Sequence, residues 1–309
     1  MIIVITGPTG IGKTAVAVEL AKELDTEIIS ADSMQVYRHL SIGTAKPSPD
    51  ELCGVTCHLI DYKDPACQYN LGDFIHDAEV EIERIKSKGR TPIVCGGAMM
   101  YIQGLLRGVF MEESRDSSIR EKLRHEADAG RLAELYAELM RLDPAATHIL
   151  PNDRQRILRA LEVIRVTNRP LTSLQTQKND KTPRHEARIF VLMRSRDELY
   201  IRINARVDAM MTAGLLDEVS QYMSMGYSRD NPAIRALGYT QLFSCHEGAM
   251  PLEHALEEMK KRTRNYAKRQ LTWFRSMRDA EFIDCGGDDA RQLCELIKKK
   301  LAQPRQQLL

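Results

Sequence analysis

The octapeptide Gly7-Pro8-Thr9-Gly10-Ile11-Gly12-Lys13-Thr14 brings together the residue types that hold a phosphate group. Its glycines let consecutive backbone N–H groups turn toward one anion, Lys13 adds a point charge, and the Thr14 hydroxyl can ligate Mg²⁺. This is a phosphate-binding loop of the ATP-binding type, and it implies a bound di- or triphosphate without saying what is done with it. Asp32 closes the next apolar stretch, where its carboxylate can take a proton from a nucleophile; a helix cap or a residue behind a magnesium ion would use the same side chain. Arg202 and Arg206, one helical turn apart, can grip a diphosphate through charge-assisted hydrogen bonds, or pair with Asp208 or Glu198.

Such groups need rigid elements to aim them. Ile2-Ile3-Val4-Ile5 is a buried strand leading straight into the loop, and Val16, Leu20 and Leu24 give the following helix an apolar stripe. Glu27-Ile28-Ile29-Ser30 ends at Asp32, the carboxyl end of a strand, where open α/β sheets place their ligands. His58-Leu59-Ile60-Asp61 reads as a short strand or loop edge. Asp73 to Lys88 reads as an amphipathic helix closed by Gly89, and Pro92-Ile93-Val94-Cys95 as another buried strand. That strand ends in Gly96-Gly97-Ala98, a second glycine-rich turn that can approach a ligand but as often is only a turn. Ala187 to Met193 reads as a strand rejoining the sheet after a polar linker from Thr176 to His185, and a helix starts near Asp197. The pattern is α/β: a parallel sheet around the phosphate loop, flanked by helices.

From about Ser117 to Gln177 strand signals vanish, and Leu123, Leu132, Leu135, Leu139 and Leu142 recur at helical spacing. This predicts an all-helical insertion, broken at Asp143-Pro144 and at Leu150-Pro151-Asn152-Asp153. In the helix that follows, Ile157, Leu158, Leu161 and Ile164 face a core. Arg156 and Arg159 share a solvent-facing stripe that is either a ligand surface or simply solvated. The expected boundaries are 1–115 for the first part of the core, 116–180 for the insertion and 181–309 for the second part. That second part ends with Glu281 to Asp284, a helix to about Leu301 and a frayed tail from Gln303 to Leu309. Between Lys260 and Arg278 lie eight Lys or Arg residues and no acid, interleaved with Tyr266, Trp273 and Phe274. A basic helix with aromatics suits nucleic acid; Trp273 and Phe274 are equally accounted for as core residues.

Composition sets the outer limits. The 309 residues suffice for a large core, and 44 basic against 43 acidic side chains predict no polyanion partner from net charge alone. No window approaches the ~18 uninterrupted apolar residues of a membrane span, and the apolar start belongs to a strand rather than a signal peptide, so a cytoplasmic protein without a membrane partner is expected. Seven cysteines without a Cys-x-x-Cys pair fit free thiols, and the grouping of Cys53, Cys57, His58 and Cys67 matches no common zinc module.

The loop GPTGIGKT, then Asp32-Ser33-Met34-Gln35-Val36-Tyr37-Arg38, then Ile42-Gly43-Thr44-Ala45-Lys46-Pro47, resembles the amino-terminal signature of the tRNA dimethylallyltransferases, also called tRNA isopentenyltransferases. Thr263 to Arg275, TRNYAKRQLTWFR, is nearly letter for letter that family's carboxy-terminal signature. The resemblance implies that Gly7, Pro8, Thr9, Gly10, Ile11, Gly12, Lys13 and Thr14 hold the diphosphate of dimethylallyl diphosphate rather than ATP. It implies that Asp32 is the general base toward N6 of adenosine 37 in the anticodon loop of tRNA, and that Arg206 stabilises the departing diphosphate. It implies tRNA contacts from Asp32, Ser33, Met34, Gln35 and Ala98, and from Gln155, Arg156, Ile157, Leu158 and Arg159. Mg²⁺ at Thr14 is the expected cofactor, and a monomer the expected state. Relatives usually carry Thr after the two glycines, where this chain has Ala98. A small-molecule kinase, an AMP-directed prenyltransferase and a tRNA-binding protein without catalysis are the alternatives.

Overall fold

Strand β1 (Ile2–Thr6) is buried over its whole length, because it sits in mid-sheet with helices on both faces. The computed structural model describes residues 1–108, 116–177, 184–287 and 289–303. The remaining strands are β2 (Ile28–Ser30), β3 (Cys57–His58), β4 (Ile93–Gly96), β5 (Ala187–Met193) and β6 (Glu281–Asp284). They pair in the order β3-β2-β4-β1-β5-β6, every pair parallel. Thr6 stands opposite Gly96 on β4 and Val191 on β5, so the two glycine-rich turns leave neighbouring strands side by side. The short strand or loop edge expected from His58 to Asp61 is both: His58 ends a two-residue strand and the rest is loop. Leu59 and Asp61 take positive φ of 62° and 56°, which ends the ladder after His58.

The chain divides into two compact units, residues 1–106 with 185–309, and residues 107–184. In the first, α1 (Lys13–Glu23), α2 (Pro49–Leu52), α3 (Leu71–Ser87) and α4 (Met99–Arg107, whose last residue is the boundary) belong to the amino-terminal part. Asn70 caps α3 and Asp73 returns the bond, a reciprocal box that starts the helix at Leu71, two residues before the expected Asp73. Helices α9 (Arg196–Thr212), α10 (Leu215–Ser224), α11 (Tyr239–His246), α12 (Leu252–Arg275) and α13 (Ala290–Leu301) belong to the carboxy-terminal part. Ile3, Ile5, Phe190 and Leu192 of the sheet share one core with Val16 and Leu20 of α1, Leu199 and Ile203 of α9, Leu271 of α12 and Ile297 of α13. A second core, with Tyr37, Val219, Tyr222, Tyr239, Phe243 and Met259, ties α10, α11 and α12 to the segment after β2.

The second unit is all-helical, with α5 (Ser117–Asp128), α6 (Leu132–Leu142), α7 (Arg154–Thr167) and α8 (Leu171–Gln177). Leu123, Leu135, Leu139, Ile157, Leu161 and Val163 form its core. Most of the polar linker and residues 304–309 of the tail lie outside the described residues. None of the seven cysteines forms a disulfide. No helix of the described residues is long and apolar enough to cross a membrane.

Candidate active site

The phosphate loop needs glycine at its first turn for a steric reason. Gly7 takes φ +146°, and a Cβ there would stand 2.5 Å from the Leu192 carbonyl oxygen of the adjacent strand. Gly12, in the left-handed region, begins α1, so the helix starts at Lys13 with no side chain across its first N–H groups. Lys13 folds back under the loop and donates from Nζ to the Pro8 carbonyl at 3.0 Å. Burial lowers its ammonium to about 8, with Cys95 and Asp32 pulling the other way and Arg206 reinforcing the fall. Cys95 itself is pushed up to about 12 by burial, so it faces Lys13 as a neutral thiol. Arg202 donates from Nε to the Gly10 carbonyl at 3.0 Å and thereby braces the loop from α9.

Asp32 stands where β2 ends. Its Oδ1 accepts from the backbone N–H of Met34 at 2.9 Å and of Gln35 at 3.3 Å, a cap on the turn. One oxygen therefore fixes the orientation of the carboxylate and the other is left for chemistry. Arg206 reaches the same place from α9. Its guanidinium is lowered by burial and supported by the charge of Asp32. Asp208 pairs with Lys260 at 2.8 Å and Glu198 with Ser195 and Arg194, so neither takes Arg206. Among the described residues Arg206 has no ion pair, and its charge is available to an anion.

Thr9, Asp32, Ser33, Met34, Ala98 and Arg206 line one cavity of ≈ 280 Å³. Ile203, Val207, Met210, Leu237 and Met259 give it an apolar wall, and Thr263 and Tyr266 enter it from α12. Burial first, and the charge of Asp32 second, push the Tyr266 phenol up to about 12, so it remains a hydroxyl donor. The 43–45 wall is hung on Glu218, whose carboxylate accepts from Ser41 N at 2.7 Å, Ile42 N at 2.8 Å and Tyr239 Oη at 2.5 Å. Gln35 lies behind that wall. Its amide donates to the carbonyls of Thr44 at 3.3 Å and Ala45 at 2.9 Å and accepts from Ser30, so it shapes the cavity without lining it.

A sequence profile described as "IPP transferase" matches residues 35–277. A "tRNA dimethylallyltransferase" of Syntrophobacter fumaroxidans is 45% identical over 285 residues, 92% of this chain and 83% of that protein. The chain belongs to this family. Among solved structures, the full-length tRNA isopentenylpyrophosphate transferase of Bacillus halodurans is similar at a TM-score of 0.72 and 36% identity, over 97% of this chain and 96% of that one. A eukaryotic dimethylallyltransferase captured acting on tRNA is similar at 0.85 and 27% identity, over 99% and 81%. The six-stranded parallel sheet with flanking helices is the phosphate-loop fold of the tRNA prenyltransferases.

Within this tRNA dimethylallyltransferase-family chain, the other predicted tRNA-facing residues lie in the helical unit. Asp153 caps α7, leaving Gln155 and Arg156 exposed on its first turn. Ile157 is wholly buried and Leu158 packs against the same core, so their side chains hold the turn in place. The expected arginine stripe divides. Arg156 is exposed, whereas Arg159 is bound at 2.7 Å to Glu162, a buried carboxylate that also takes Arg120 at 3.0 Å. The basic α12 divides too. Lys260, Lys261 and Arg262 meet acids, while among the described residues Lys268 and Arg275 meet none. Phe274 is a core residue and Trp273 packs edge-on against it at 5.2 Å, half-buried.

Sequence reading missed Gln270, Glu218 and the 43–45 wall. Gln270 had left a signal. Ala267, Gln270, Leu271 and Phe274 form the buried stripe of α12, and an amide on an apolar stripe needs a partner.

Proposed function

We propose that this chain transfers the dimethylallyl group of dimethylallyl diphosphate to N6 of adenosine 37 in the anticodon loop of tRNA, releasing diphosphate. The observation that carries the reading is the convergence of a phosphate loop, the Asp32 carboxylate and Arg206, which has no ion pair among the described residues, on one cavity with an apolar wall, in a chain of this family. The aromatic N6 is a weak nucleophile, so alignment with the allylic carbon and leaving-group stabilisation must supply the rate. The N6 lone pair forms the new C–N bond as the C–O bond to the diphosphate breaks. Asp32 takes the N6 proton, while Lys13, the loop amides and Arg206 take up the charge on the diphosphate. The apolar wall of Ile203, Val207 and Met210 suits a five-carbon chain, and Ser33, Met34 and Ala98 suit an adenine lifted out of its stack.

Thr14 fits Mg²⁺ only in part. Among the described residues no three His, Cys, Asp or Glu side chains group as a metal-ligand set, and the Thr14 hydroxyl would hold a Mg²⁺ ion brought with the diphosphate. When bound, the ion neutralises charge on the leaving group. On the helical unit, Gln155 and Arg156 would meet tRNA directly, with Ile157, Leu158 and Arg159 holding that turn in place. A single chain supplies every group of the cavity, which suits a monomer, and the tRNA substrate suits the cytoplasm.

The test is mass spectrometry of nucleosides from tRNA incubated with the protein, dimethylallyl diphosphate and Mg²⁺, beside parallel incubations with AMP and ATP. N6-dimethylallyladenosine at position 37 is expected; transfer to AMP but not to tRNA, or movement of a γ-phosphate with no new C–N bond, overturns the reading. Asp32→Asn keeps the Oδ1 cap on Met34 and Gln35 but loses the base, and turnover is expected to fall about 10²–10⁴-fold.

A further inference from the structure

We propose that Gln270 is a positioning residue that fixes the phosphate loop against the second glycine turn, and so sets the leaving group against the acceptor. The inference rests on the prenyl-transfer reading for its kinetic arm only. Gln270 lies on α12, is 1% exposed, and spends both ends of its amide. Oε1 accepts from the backbone N–H of Thr9 at 2.9 Å, and Nε2 donates to the carbonyl of Gly97 at 2.8 Å. Thr9 and Ala98, the residue after Gly97, both line the cavity, so the amide joins its two walls from behind.

The neighbours are shaped around this link. A Cβ on Gly97 would stand 2.7 Å from Nε2 of Gln270 and 3.4 Å from Nζ of Lys13, so glycine is what lets the amide and the lysine pass beneath the turn together. The link also decides which loop amides are free. In a phosphate loop successive N–H groups turn toward the anion, and here Thr9 N–H is turned aside to Gln270, leaving the N–H groups further along for the diphosphate. Only an amide serves both partners. A glutamate would present two acceptors and face the Gly97 carbonyl with no donor, while bringing a negative charge to the anion site. A methionine has nearly the same shape and neither function.

The experiment compares Gln270→Met and Gln270→Glu with wild type in the full chain. Thermal melting, Mg²⁺–pyrophosphate affinity by calorimetry, and kcat and KM for tRNA and dimethylallyl diphosphate are measured. Gln270→Met is expected to fold and to keep its KM for tRNA within about twofold, while kcat falls about 10- to 100-fold because two walls lose their alignment. Gln270→Glu is expected to weaken pyrophosphate binding more than Gln270→Met does. A Gln270→Met protein with kcat within twofold of wild type overturns the inference, as does a loss confined to melting temperature or to the KM for tRNA. The pyrophosphate arm separates this from a failure of the functional reading: if wild type makes no prenylated tRNA, a pyrophosphate affinity of the uncharged Gln270→Met below that of wild type still supports the clamp, and one equal to wild type sinks it.

Discussion

At Lys13 two requirements oppose one another. A diphosphate held as proposed would need a cation under the loop, yet burial there disfavours the charged form and lowers it to about 8. An unfolded lysine titrates near 10.4, so between about 8 and roughly 10.4 the unfolded chain binds a proton that the folded chain has released. From this group, stability is therefore lowest below pH 8 and rises with pH across that window. Lys13→Met removes the desolvated charge. In thermal melts without ligand it is expected to exceed wild type at pH 7, with the advantage shrinking toward pH 10; a variant less stable than wild type at pH 7 refutes the account. Binding runs the other way. Wild-type affinity for pyrophosphate is expected to fall up to tenfold per unit above about pH 8 relative to the variant, which binds more weakly throughout and subtracts the ligand's own titration.

Between strands and helices, the cavity owes its shape to side chains that reach across the sequence. Glu218 on α10 supports the 41–45 backbone through two N–H groups within 2.8 Å, and Tyr239 on α11 adds a third bond at 2.5 Å. Glu218→Gln swaps one charged acceptor for a donor facing N–H groups, and is expected to cost about 2 kcal/mol. The urea midpoint should fall at unchanged m-value, and the KM for dimethylallyl diphosphate should rise as the wall loosens; unchanged values of both would remove Glu218 from the site. These long-range links also mark where sequence reading stops. The phosphate loop is eight consecutive residues whose own backbone would do the binding proposed, so its chemistry is legible locally, as is the turn that Asp32 caps. Arg202, Glu218 and Gln270 act over 192, 177 and 261 residues, and nothing short-range announces the partner. Likewise, the cut in β3 comes from positive φ at Leu59 and Asp61, which apolar letters do not encode.

At the scale of the whole molecule, the sequence revealed an α/β core interrupted by helices, because short buried apolar runs and the 3.6-residue period are each visible within a dozen residues. It could not give the strand order. β5 enters beside β1 after a gap of 180 residues, a choice made by its apolar run from Ile189 to Met193 and by the helices waiting on both faces. That pairing has a consequence for the helical unit. All six strands, the phosphate loop, Asp32, Arg206 and Gln270 come from residues 1–106 and 185–309, and the helical unit closes its own core around Leu135, Leu139 and Leu161. Replacing residues 107–184 with a Gly/Ser linker of about ten residues should leave the sheet intact, since no strand or cavity residue is removed. The shortened protein is expected to unfold cooperatively and to bind Mg²⁺–pyrophosphate within about threefold of wild type. It is expected to lose prenylation of tRNA by 100-fold or more, because Gln155 and Arg156 go with the unit. If pyrophosphate binding disappears with the insertion while the fold persists, the helical unit helps to build the anion site; if tRNA turnover survives, the insertion is not the part of the molecule that holds the tRNA.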